Sequence, residues 1–156
     1  MSTLGTIRDA MVTKITTLFP NKKRIPRPRV LDQNIDNFLN DGFGIYIGPS
    51  TISDQDLGYH IAVRSSEINV VLTEKIYTLD NNHVGEAAAE NSLHGNKESL
   101  IQSISEMTLE AIEDDFLNIL YTSDDGGEFI FAEKNNYLAL TITFTVNYSK
   151  NKTYCV

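Results

Sequence analysis

Three histidines, His60, His83 and His94, are the side chains of this sequence best suited to proton transfer near neutral pH. A general base needs an orienting partner, and His60 has two acids close by in the chain, Asp54 and Asp56. An acidic turn leading into a strand accounts for the same three residues without chemistry. His83 and His94 fall in a polar stretch where solvated side chains are expected. Asp114, Asp115, Asp124 and Asp125 could offer hard oxygen ligands to a divalent cation, yet their spacing matches no EF-hand loop. The first pair fits the polar side of a helix, and the second fits a turn before Gly126 and Gly127. No P-loop, G-x-S-x-G, H-E-x-x-H or paired C-x-x-C occurs, and the glycines form no dinucleotide-binding fingerprint. The single cysteine, Cys155, can build neither an internal disulfide nor a thiolate metal site. The expectation is a protein that is not an enzyme and uses no cofactor or metal.

Charge is the more informative signal. The formal net charge of −8 argues against a general nucleic-acid binder, which needs a basic face to neutralise phosphates. Five of the 13 basic residues, Lys22, Lys23, Arg24, Arg27 and Arg29, nevertheless fall within eight positions, leaving the remainder strongly acidic. No aromatic residues interleave with them to stack on bases. One reading is a solvated loop. The other is a basic arm that meets an acidic surface on a neighbouring subunit and sets its register. Arg24, Arg27 and Arg29 on the arm, with Asp54 and Asp56 on the acidic turn, are the candidate protein-contact residues. Subunits offering two different faces close into rings when the rotation permits.

The elements that would position these residues follow from periodicity. At 156 residues, 41% apolar and 22% charged, the chain should fold as a single domain spanning 1–156. It has no run of about 18 apolar residues and no secretory signal at Met1, so a soluble intracellular product is expected. Leu4, Ile7, Met11, Ile15 and Leu18 make a helical stripe over about 3–19, ended by Pro20. The basic, proline-containing arm covers about 20–40, with one helical turn near Ile35–Leu39. Strands are predicted at about 44–47 and 59–77, separated by a turn at Ser53–Gly58, the second strand bulged near Thr73–Lys75. Residues 80–95 show no clear period and read as an insertion or loop. Asn96 can cap a helix over about 97–113, broken near Thr108, with a short continuation to about 120. Strands at about 128–132 and 137–148 form a hairpin, the latter alternating strictly from Leu138 to Tyr148. The order α-β-β-α-β-β predicts an α+β fold: a single mixed or antiparallel β-sheet with helices packed against it.

The ordered pattern resembles the tail terminators of long-tailed bacteriophages, also called tail-completion or tail-to-head joining proteins. The resemblance lies in layout: the helix at Ile7–Ile15, the short strand Gly44–Gly48, and the long strand Glu67–Tyr77. It continues in the helix Lys97–Ile104 and the final alternating strand Leu140–Tyr148, so nearly the whole chain is covered. It implies a structural virion protein at the head-proximal end of the tail, assembled in the host cytoplasm as a homo-oligomeric, hexameric ring. Such a ring binds the tail tube protein, stops polymerisation and presents a joining surface to the connector or neck. No cofactor, membrane or specific nucleic acid is implied, and the family transfers no catalytic residue. Another neck or tail-tube subunit would use the same plan; a small hydrolase built on His60 is the enzymatic alternative.

Overall fold

Along the last strand, apolar side chains at every second position alternate with threonines and other small polar residues, and this strand is the spine of the sheet. The computed structural model describes residues 3–55, 61–77, 84–107, 116–132 and 135–151. Within them the chain runs α1 (Thr3–Leu18), β1 (Lys23–Arg24), a 3-10 turn (Leu31–Gln33), α2 (Asp36–Leu39), β2 (Asp41–Gln55), β3 (Ile61–Lys75), α3 (Val84–Ser105), β4 (Phe116–Asp124), β5 (Glu128–Ala132) and β6 (Asn135–Asn151). Among the described residues the strands form one six-stranded mixed sheet in the order β1-β2-β3-β6-β4, with β5 also on β6. β1 runs parallel to β2, and the other pairs are antiparallel. The sheet with helices against it is the expected α+β architecture.

β6 pairs with β3 from Ile61↔Asn151 to Lys75↔Tyr137 without a register shift. Its other edge holds two strands in tandem, β5 opposite residues 135–139 and β4 opposite 142–148. Leu140, Ile142 and Phe144 then share one face with Leu72, Val70 and Ile68, and α1 and α3 cover that face through Ile7, Met11, Ile15, Leu93, Leu100 and Ile104. Every one of these side chains is buried. Each contributes roughly 1.5–3 kcal/mol by leaving water, which makes this two-layer contact the main source of stability. No helix among the described residues is long and apolar enough to cross a membrane.

Four expectations change. Residues 84–95, read as loop, are the first half of the 22-residue helix α3. Ala89 and Leu93 continue the buried stripe of Leu100 and Ile104, and Ala87–Ala89 favour helix intrinsically; a small apolar residue in the stripe conceals the period. Residues 116–120, read as a helical continuation, belong to strand β4, where Ile119 pairs with Val146. Pairing with β6 overrides local propensity there. β2 is far longer than 44–47 and takes in Ser53–Gln55 of the expected turn, with register shifts after Ile47 and Ile52 that absorb Pro49. β3 is regular through Thr73–Lys75; the irregularities lie in β2 and β4. Residues 56–60 and 108–115, with the expected break at Thr108, lie outside the described residues.

Candidate functional site

Glycines on β2 allow the arm to lie directly on the sheet. A Cβ on Gly44 would fall 2.6 Å from Pro28 Cβ, and one on Gly42 would meet the Phe38 carbonyl and Thr73 Oγ1. Strand residues without side chains permit this close approach of a second segment. Ile25, Leu39 and Tyr137, joined by Leu31 and Ile130, make a small second core between the arm and the sheet face opposite α1 and α3. The segment 20–40 is therefore a docked loop.

Polar contacts hold it in place. Lys22 Nζ lies 2.6 Å from Asp41 Oδ1, Lys23 Nζ donates to Asn37 Oδ1 at 2.6 Å, and Ile25 N donates to Phe43 O at 2.7 Å. Asn34, only 7% exposed, closes the loop. Its Oδ1 accepts Arg27 N–H, and its Nδ2 donates to the carbonyls of Arg27, Val30 and Leu31. This amide replaces several backbone bonds that an irregular segment lacks.

The candidate contact residues separate on this frame. Arg24 and Arg27 are exposed, and among the described residues their guanidinium groups enter no ion pair. Arg29 is turned onto its own chain: the guanidinium lies 4.6 Å from the Tyr46 ring centre, and Nη2 donates to Ile47 O at 2.5 Å. It serves the fold. Arg24 pairs with Phe43 at the start of β2, and Asp54 pairs with Val63 near its end. Strand rise places the two roughly 35 Å apart, so Arg24 and Asp54 do not meet within one chain. Asp56, His60, His83, Asp114 and Asp115 lie outside the described residues.

His94 sits on α3 with Nε2 3.3 Å from Gly126 O, a contact between helix and turn. Asp124 accepts from Tyr121 Oη at 2.6 Å, Lys97 Nζ at 3.0 Å and Gly126 N at 2.9 Å. The bond from the Tyr121 hydroxyl, followed by that from Lys97, holds the Asp124 carboxyl at about 2, below the ordinary carboxylate range. The same bond pushes the Tyr121 phenol up. Asp125 Oδ1 accepts from Gly127 N and Thr141 N. Both aspartates thus fasten the β4–β5 turn, to α3 and to β6. Among the described residues no three His, Cys, Asp or Glu side chains converge as metal ligands.

An open groove of about 510 Å³ runs between the arm and β5, lined by Pro28, Val30, Tyr46, Phe129, Ile130 and Phe131. Ile130, opposite Tyr137, faces the arm, while Phe129 and Phe131, opposite Leu138 and Asn136, stand on the other side of the sheet and are 46% and 74% exposed. Sequence reasoning assigned this strand but not its protruding aromatics, although Phe-Ile-Phe at 129–131 places both Phe rings on one side of β5. Leu120 and Tyr121 extend the exposed apolar surface along β4 at 54% and 40%. Exposed aromatic and aliphatic side chains along a sheet edge are a protein-contact chemistry.

No protein family and no curated protein matches the sequence. In fold, the chain is similar to one in a solved structure described as the virion of a native gene transfer agent particle. The likeness covers 96% of this chain and 98% of that one, with a TM-score of 0.51 and 10% identity. It is a likeness of fold.

Proposed function

We propose that this chain is a structural subunit of a phage-like particle, and that it acts there as a tail terminator, a cap that ends the tail tube and joins it to the neck. The observation that carries this reading is the end-to-end fold likeness to a chain of a gene-transfer-agent virion, which leaves almost no part of either chain unmatched. The surface chemistry agrees with it. Exposed arginines, an apolar sheet edge and a groove without a paired nucleophile and base suit binding rather than turnover. In this reading the protein is not an enzyme, assembles as a hexameric ring and resides at the head-proximal end of the tail. Arg24, Arg27 and Asp54 are contact positions, and Arg29 holds the arm that presents the two arginines.

The test is the mass and shape of the purified protein, by light scattering and negative stain, alone and with purified tail tubes of the same particle. A closed ring that caps one tube end and stops elongation is the expected outcome. Long tubes formed by this chain alone would make it a tube subunit, and a ring that ignores tubes would move it to the neck.

A further inference from the structure

The outer edge of the sheet is made by β4 and β5, whose far sides have no strand partner among the described residues. Sheet edges are normally blunted by shortness, charge or proline, because their free N–H and C=O groups recruit other chains. Here the edge instead shows Leu120, Phe129 and Phe131, exposed by 54%, 46% and 74%. Charge identifies the occupant. Among the described residues of 84–128, which include α3 and this edge, seven side chains are acidic against one basic, Lys97, and Lys97 is committed to Asp124. Glu98 on α3 and Glu128 on β5 are exposed and enter no ion pair among the described residues. α3 packs over β3, β6 and β4, with its first turns beside Asn40 and Asp41 at the start of β2 and Lys97 at Asp124 of β4. At the β1 margin, Arg24 and Arg27 are exposed and unpaired among the described residues; beyond them the arm crosses the sheet face, and Arg29 lines the groove that Glu128 also lines.

We propose that copies of this chain join head to tail, the β1 margin of one subunit, through Arg24 and Arg27, seated on the acidic, apolar β4–β5 edge of the next. The inference rests on the reading of the chain as an assembly subunit and names the surfaces that join. Identical margins repel one another, basic on basic or acidic on acidic, so two-fold pairing is disfavoured at both. Unlike margins attract, and a contact between two different surfaces propagates until it closes into a ring. The apolar side chains of the edge supply the burial that exposed charges lack.

Two charge reversals test it: R24E/R27E makes both margins acidic, and E98K/E128K makes both basic. All four positions are exposed, so circular dichroism should match the unaltered chain. In sedimentation, each variant alone should associate about tenfold or more weakly than the unaltered chain, and an equimolar mixture should restore assemblies of the original size. An unaltered chain that is monomeric up to about 1 mM, a variant that self-associates normally, or a mixture that stays apart would overturn the proposal. So would association that stops at two copies. Tube capping separates the two readings: reversed chains that assemble and cap tubes like the unaltered one sink this inference alone. Unaltered rings that respond to both reversals but ignore tubes sink the terminator reading alone.

Discussion

Asn34 illustrates how much of an irregular segment can depend on one amide. Replacing it with alanine strands the Arg27 N–H and leaves the carbonyls of Arg27, Val30 and Leu31 with their backbone partners alone, and should cost about 1–3 kcal/mol in denaturant unfolding. Asn34→Asp should be no better, because a carboxylate can accept from Arg27 but cannot donate to the carbonyls. An Asn34→Asp variant as stable as the parent would refute this role. Asp124 gives a pH signature. Its folded-state carboxyl sits at about 2, below the ordinary carboxylate range, so the stabilisation is complete above about pH 4 and is lost as pH falls through 2. Acid titration of unfolding should show this loss in the parent and a flatter profile over the same window in Asp124→Asn. Gly95 works the other way: it lies inside α3, is exposed, and a Cβ there meets nothing within 4 Å. Gly95→Ala should raise stability by about 0.5–1 kcal/mol, read from the unfolding midpoint. At this scale the sequence located the exposed Arg24 and Arg27 through their crowding with like charges. It could not show that Arg29 bends back on Tyr46, because a cation–π contact between residues 17 positions apart leaves no local pattern.

Elements were legible in proportion to the contrast between their two faces. α1 and β6 each bury one side and wet the other, so a period of 3.6 or 2 stands out in Ile7, Met11 and Ile15 or in Leu138 to Tyr148. α3 carries small residues on both faces in its first half, and Ala87 and Ala88 are exposed while Ala89 is buried, so hydropathy does not distinguish them. β4 is an edge strand in which Leu120 is exposed and Tyr121, although packed edge-on against Phe144, is 40% exposed, which removes the alternation a reader would use. The arm was legible as irregular chain, but its docking depends on the glycines of β2. Gly44→Val should keep the strand, since valine suits it, yet displace Pro28 and loosen the loop. Limited proteolysis should then cut within 20–40 faster than in the parent, with a stability loss of about 1–3 kcal/mol.

At the scale of the whole molecule, the exposed Arg24 and Arg27 stand toward the β1 margin and the exposed Glu128 stands on β5, across the sheet. Sequence alone exposed the sorting along the chain; the strand order separates Arg24 from Glu128, while the arm carries Arg29 back to the groove that Glu128 lines. The fold is laid out around β6, which follows all its partners in the chain yet pairs with β3, β4 and β5. During synthesis, none of those three pairings can form until β6 has left the ribosome. Closure of the sheet is thus a late, long-range event, of the kind that slows folding. Until then the nascent chain exposes the apolar side of β3, a template for misassociation. A subunit that must not meet its neighbours prematurely is therefore most exposed before β6 arrives, and chaperone occupancy during translation should fall once that strand emerges.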